Sequence, residues 1–385
     1  MGIIYTFQFV KVLKYKLNIH ISPTTITNSS RIFRECDSLL KQDLVDKIII
    51  IGFFEKNFKK IEKKGESISV FRINTLFGKQ RIFLPISFLI FYLRTFIVLL
   101  KYKPAIVNCH TLTVLPIGYL YKILKPSTLL IYDAHELETE TDYIKGIRKK
   151  ISKWLEKKMI IKVDRMIVVS DKIAEWYKKI YGIKNIQVIR NVPKQISSFD
   201  KVDIKALLGI PKEELLFIYQ GALEKQRGIQ LMIDVFKNSK KDRHIVFLGE
   251  GELTEHVKEF TIHESNIHYL KPVAHNQVLS YTSGADVGLN LLRGSCLNHQ
   301  YCLPNKVFEY LLAGIPFISS NFPSLVDEFS DYNFAWFIEP EYTKLISLVN
   351  SLTIDDVQEY KRNCIMHKNL WDWNVEEKTF LKVYN

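Results

Sequence analysis

At 385 residues the chain is too long for one ordinary domain and fits two of roughly 190 residues each. A hydrophobic content of 47% with 25% charged residues describes a globular protein with a sizeable core and excludes intrinsic disorder. The net charge of +13 is uneven: residues 1–195 hold 35 Lys and Arg against 16 Asp and Glu (+19), and residues 196–385 hold 19 against 25 (−6).

Such asymmetry means that the first half meets something anionic. No recognisable nucleic-acid module accompanies the charge, so an anionic membrane surface is expected in preference to nucleic acid. The plain alternative is that the basic residues keep the protein soluble. The five cysteines (Cys36, Cys109, Cys296, Cys302 and Cys364) are odd in number and lack tight pair spacing, which argues for free thiols in a reducing compartment. No His/Cys cluster of zinc spacing surrounds them, and no metal site is expected.

Along the chain, short apolar runs alternate with helical patterns, which predicts α/β architecture with parallel sheets. Met1-Gly2 with Thr6 formally fits an N-terminal acylation pattern, given little weight, and no cleaved signal is visible. Expected strands in the first half are Leu17–Ile21, Lys47–Ile51, Ile68–Ile73, Ala105–Cys109, Leu129–Tyr132, Met166–Val169 and Ile186–Ile189. Ile82–Leu100 is almost wholly apolar and approaches the length of a membrane span. Pro85 near its start and Arg94 in its second half favour a core helix, whose free face would be able to lie on a membrane. Arg148–Lys162 sets Ile151, Trp154, Leu155, Met159 and Ile160 at helical spacing among seven Lys and Arg. It reads either as a basic amphipathic helix for a membrane surface or as an ordinary surface helix. A polar linker is expected over Gln195–Ala206, and strands resume at Leu215–Tyr219, His244–Leu248, His268–Leu270, Ala285–Leu291 and Phe317–Ser320.

Ligands of open α/β sheets bind beyond the carboxyl ends of strands, which puts an active site in a cleft between the halves. Two polar segments follow strands in the first half: His110, and Tyr132-Asp133-Ala134-His135-Glu136. His135 is placed to hydrogen-bond a ligand in such a cleft, with Asp133 or Glu136 orienting its ring. In the second half, Asp286–Pro316 packs a buried strand, a polar loop and a helix starting at Pro304 into one unit, stopped by Gly314 and Pro316. The free N–H groups at Asn305 and Lys306 would hold an anion such as a diphosphate, with Glu309 just over a turn further in. That is the layout of a phosphate-and-ribose site.

This segment resembles the donor site of family 4 glycosyltransferases, two-domain enzymes of the GT-B fold, through Asn298, Tyr301, Pro304, Asn305, Lys306 and Glu309. Several bacterial surface-polysaccharide members look similar here. In that family two glutamates separated by seven residues contact the donor. Glu309 matches the second, ribose-binding one, whereas Tyr301 stands at the first. The Asp133–Glu136 segment resembles the family's D-x-H-E, and Gln220–Gly228 its phosphate loop, with Gly221 and Arg227 matching and Ala222 replacing a basic residue. Phe247–Glu252 resembles its second glycine turn, and Pro272-Val273 its base-binding turn.

The resemblance implies two Rossmann-like domains facing across a cleft. Residues 1–195 would bind the acceptor, residues 196–367 the nucleotide-sugar, and a helix in residues 368–385 would cross back to the first domain, anchored by Trp371 and Trp373. It implies a retaining, metal-independent hexosyltransferase without a cofactor, taking a UDP- or GDP-linked donor. The acceptor would be a glycan or lipid-diphosphate-linked glycan of capsule or O-antigen synthesis. His135 and Glu309 would serve as catalytic residues. Donor contacts would come from Gly221, Arg227, Val273, Asn298, Tyr301, Asn305 and Lys306, with His110 and Glu136 on the acceptor side. The protein would work in the cytoplasm on the inner membrane face. The rival readings are a non-catalytic partner subunit, allowed by Tyr301 and Ala222, and a sugar-nucleotide epimerase or hydrolase of the same fold.

Overall fold

The computed structural model describes residues 15–27, 29–75, 84–194 and 199–385. Met1, Gly2 and Thr6 of the acylation pattern, Ile82 and Phe83 of the apolar stretch, and Gln195 of the expected linker lie outside them.

Two sheets organise the chain. The first contains β1 (Tyr15–Ile21), β2 (Val45–Phe53), β3 (Ile61–Lys64), β4 (Ile68–Ile73), β5 (Ile106–His110), β6 (Leu129–Ala134), β7 (Arg165–Val168) and β8 (Ile186–Val188). Their order is β3-β4-β2-β1-β5-β6-β7-β8, parallel throughout apart from the antiparallel edge strand β3. The second contains β9 (Leu215–Gln220), β10 (Arg243–Leu248), β11 (Ile267–Leu270), β12 (Val287–Asn290), β13 (Phe317–Ser320) and β14 (Ala335–Ile338), in the order β11-β10-β9-β12-β13-β14. All its pairings are parallel. Every expected strand is present; β3 and β14 are additions. Parallel strands covered on both faces need apolar residues at consecutive positions, and β9 and β10 are buried along their whole length.

Helices cover both faces of each sheet. In the first half they are α1 (Ser30–Lys41), α2 (Leu84–Tyr102), α3 (Leu115–Leu124), α4 (Gly146–Ile160) and α5 (Asp171–Tyr181). Helices α2 to α5 pack in one core cluster on one side of the sheet, and α1 on the other. The second half holds α6 (Ile204–Leu208), α7 (Ile229–Asn238), α8 (Thr254–His263), α9 (Val278–Thr282), α10 (Leu297–Tyr301), α11 (Asn305–Ala313), α12 (Pro323–Phe329), α13 (Tyr342–Ser351) and α14 (Ile354–His367). The expected linker runs too far: Asp203 already caps α6, accepting from the Ala206 N–H at 3.0 Å, and Ile204 is buried in the second core.

The last helix, α15 (Trp373–Leu381), crosses back to the first sheet. Trp373 donates to Ser38 at 3.0 Å, and the Tyr384 hydroxyl accepts from Asn108 at 2.6 Å. The two tryptophans expected to anchor this helix together divide the task. Trp371 stays in the second core and donates to Glu328 at 2.7 Å, while Trp373 is buried against α1. The chain thus stitches the two halves together, with Arg190, just beyond β8, bonding both Glu376 of α15 and Glu328 of α12.

Candidate active site

A cleft of about 710 Å³ opens between the two sheets, lined at its base by residues that follow the carboxyl ends of β6, β9, β10 and β11. Its volume falls in the range of sites that enclose a drug-sized ligand. The two walls are built on different principles.

The second-half wall is cationic. Helix α11 begins at Asn305 with Pro304 as its cap, and no side chain caps its first turn. Proline serves there because its fixed φ leads the chain into the helix and it has no N–H to satisfy. Lys306 stands on that first turn with its Nζ 3.8 Å from the centroid of the Tyr219 ring. Burial, reinforced by Arg227 and opposed by Glu309, brings the Lys306 ammonium down to about 7. Glu309 offsets this burial only in part, and a bound anion beside Lys306 would raise its pKa again.

Gly221 follows β9 with φ +118°, a backbone that L side chains rarely adopt, and the next loop lies directly over it. A Cβ at Gly249 would meet the Gly221 carbonyl at 2.0 Å. Arg227 closes this loop, 40% exposed, with a loose 3.6 Å pairing to Glu224. Glu309, one turn into α11, is held above the usual carboxylate range by burial, against the opposing bond from Gln220 Nε2 at 2.5 Å. Gln220 is itself fixed by Thr282, which donates to its Oε1 at 2.5 Å. Val273 lies at the same wall, beside Pro272.

The first-half wall is already neutralised. Asp133, at the end of β6, is fully buried and receives Arg31 through Nε at 3.2 Å and Nη2 at 3.0 Å. It also pairs with His110 Nδ1 at 3.0 Å and His135 Nε2 at 3.1 Å. Burial alone would raise this carboxyl, but Arg31 and the imidazoles outweigh it and hold Asp133 well below its ordinary value. His135 is 32% exposed and lines the cleft, as expected. His110 does not: it is fully buried, its Nε2 2.9 Å from His20 Nδ1, and burial lowers its pKa. The end of β5 turns it down into the helix layer, so it supports His135 and cannot reach an acceptor.

Of the other expected donor contacts, Asn298 and Asn305 line the cleft and Tyr301 does not. Asn298 is buried and acts as a clasp across the cleft. Its Oδ1 accepts the Leu137 N–H at 2.8 Å, and its Nδ2 donates to Glu136 at 3.3 Å, so its amide is occupied in fixing the loop after His135. Tyr301 packs against the first-half core, and its carbonyl accepts from Ser170 and Ser324. The position of the family's first donor glutamate therefore serves the contact between the halves. The Asn305 side chain accepts from Asn191 at 2.9 Å, leaving its backbone N–H as the group available to a ligand. Glu136, by contrast, does line the cleft.

Sequence reasoning missed Arg31, Tyr219 and Gln220, all cleft residues. Gln220 ends a parallel strand, the same signal that found His135. Arg31 sits on a helix far from any motif, and nothing local marks it.

Comparison with known proteins agrees with this fold. The profile described as Glycosyltransferase Family 4 matches residues 54–192, and that described as Glycosyl transferases group 1 matches residues 200–369. No curated protein matches the sequence. Among solved structures, sucrose-phosphate synthase from Thermosynechococcus elongatus has a TM-score of 0.78 at 14% identity, covering 96% of this chain and 98% of that one. HepE of Anabaena in complex with UDP and glucose has a TM-score of 0.72 at 12% identity, over 95% and 98%. A structure from E. coli named for trehalose-6-phosphate, bound with UDP-2-fluoro glucose, has a TM-score of 0.70 at 10% identity, over 96% and 99%.

Proposed function

The chain belongs to the GT-B glycosyltransferases of the family 4 type, and we propose that it is a retaining enzyme of bacterial surface-polysaccharide synthesis. It moves a hexosyl group from a UDP- or GDP-linked donor to a glycan or lipid-diphosphate-linked glycan at the cytoplasmic membrane face. The observation that carries the reading is one juxtaposition: Lys306, Arg227 and the uncapped start of α11 surround a space bounded further in by Glu309. Cations and free amides are what a diphosphate requires, and a carboxylate one turn deeper suits ribose hydroxyls.

In this reading the donor diphosphate lies across Gly221, between Lys306 and Arg227. As the bond from the anomeric carbon to the phosphate oxygen breaks, its electron pair leaves with the diphosphate, and these groups stabilise the developing charge. The acceptor hydroxyl attacks from the same face and passes its proton to the departing phosphate oxygen. His135, oriented by Asp133, bonds the sugar. Two cations and a helix terminus supply the charge that a divalent metal supplies elsewhere. The UDP and UDP-sugar complexes among the similar structures support a nucleotide-sugar donor.

The test is a screen of nucleotide-sugars with a mixed glycan acceptor, followed by NMR of the new linkage. The expected result is acceptor-dependent release of nucleoside diphosphate with the anomeric configuration kept. Donor turnover that ignores the acceptor would instead favour an epimerase or hydrolase, and an inverted linkage would overturn the retaining mechanism.

A further inference from the structure

The outward surface of the first half carries an apolar field that no element among the described residues covers. Helix α2 buries Ser87, Phe91, Thr95 and Leu99 against the sheet and turns Ile86, Leu89, Leu93, Ile97 and Leu100 to solvent. Leu93 and Ile97 are 58% and 61% exposed. The exposed residues recur at helical spacing on the face opposite the buried ones. A layer helix of a soluble domain would normally be the other way round, with its larger aliphatic side chains inward. Helix α2 is also long and apolar enough to cross a membrane by length and composition. It is nonetheless fixed in the sheet layer: Phe91 stacks on Phe53 at 4.3 Å, and Arg94 donates to the Asn74 carbonyl at 2.6 Å.

The neighbouring helices repeat the arrangement. Helix α3 packs between α2 and α4, and all three bury their inner sides in the same core cluster. Their outer sides therefore share one outward surface. There α3 adds Leu120, Ile123 and Leu124, and α4 adds Ile147, Ile151 and Trp154, the last 59% exposed. The charge on these helices has one sign. Their single acidic residue is Glu156, and it is buried under the hydroxyls of Tyr132, Tyr177 and Tyr181. Lys101, Lys125, Arg148, Lys150, Lys157 and Lys158 are all exposed around the apolar field.

We propose that the outer faces of α2, α3 and α4 together form a docking surface for an anionic lipid bilayer, lying in its interface without crossing it. Apolar side chains rimmed by cations match the chemistry of that surface: acyl chains below, anionic headgroups above. A second copy of the chain fits poorly, because two cationic rims with no exposed acid on these helices would be forced together. The surface also adjoins the cleft. Thr141, Asp142 and Tyr143 line the cleft, and α4 starts at Gly146. A lipid-linked acceptor held in the bilayer would enter there; this clause alone rests on the transferase reading.

The experiment is co-sedimentation of the full chain with phosphatidylglycerol-containing vesicles and with phosphatidylcholine vesicles, alongside light scattering of the protein alone. The wild type is expected to sediment with the anionic vesicles as a monomer and to be released by salt. The pair Leu93→Ser and Ile97→Ser should weaken partitioning by on the order of tenfold or more through lost apolar insertion. The pair Lys157→Gln and Lys158→Gln should weaken it about fivefold per charge removed. Both pairs are exposed, so thermal protection by nucleoside diphosphate should be unchanged, which separates failure of docking from failure of the cleft. Absence of wild-type binding to anionic vesicles, binding indifferent to both pairs, or a dimer that the Leu93/Ile97 pair dissolves would overturn the proposal.

Discussion

The two walls of the cleft hold similar numbers of charged groups and use them in opposite ways. On the first-half wall, Arg31, Asp133, His110 and His135 satisfy one another, and all but His135 are buried. On the second-half wall, Lys306 sits over a tyrosine ring, Arg227 makes one long pairing, and Glu309 bonds an amide instead of a cation. A closed network is a scaffold that fixes the orientation of one exposed imidazole. An open set of cations is suited to bind an anion. The comparison teaches which wall contributes geometry and which contributes binding energy.

The largest expected effect falls on the closed wall. Asp133→Ala leaves the buried Arg31 guanidinium with Glu35 alone, at 3.0 Å, and takes from His110 and His135 the carboxylate they share, which should cost about 3–5 kcal/mol of stability, read by denaturant unfolding. A loss below 1 kcal/mol would break the distinction between the walls. Next comes the clasp between them. Asn298→Ala leaves the buried Leu137 N–H without an acceptor and should cost about 1–3 kcal/mol. If Asn298 held the sugar instead, the same variant would keep its stability and lose only turnover.

The third effect concerns pH. Lys306 is held at about 7 in the free protein, and a diphosphate would raise it. Below pH 7 the ammonium is already charged; above it, binding must take up a proton. Affinity for nucleoside diphosphate should therefore fall as pH rises from 7 towards 9, by up to about tenfold per unit. Calorimetry in two buffers of different ionisation enthalpy would show the proton uptake, and a pH-independent affinity would place Lys306 outside the phosphate site. The linkage to folding has its own sign. Between about 7 and its ordinary value near 10.5, Lys306 is protonated only in the unfolded chain, so this group makes stability rise with pH there.

Much of this architecture is legible in the sequence because buried parallel strands leave unbroken apolar runs. Strand β3 escaped because it is an exposed edge whose sequence is Ile-Glu-Lys-Lys, with no buried face to force a pattern. Strand β14 is also an edge, and its four residues are only half-buried. At the site, the glycine turn and helix start that shape the cationic wall are local in sequence, so Gly221, Arg227, Lys306 and Glu309 could be read together. The closed wall is not local. Arg31 meets Asp133 across 102 positions, and strand register decides that His110 points into the layer while His135 faces the cleft. The roles of Asn298 and Tyr301 depend on how the halves meet, which no spacing along the chain encodes.

The central claim is that the open wall holds a nucleotide diphosphate. Its most direct test is calorimetric titration of UDP and GDP into the wild type, Arg227→Ala and Lys306→Met. One nucleotide should bind the wild type, and each variant should lose about 1.5–3 kcal/mol of binding, roughly tenfold to a hundredfold, with no loss of folding stability. No binding of either nucleotide to the wild type, or equal affinity in all three proteins, would contradict the account.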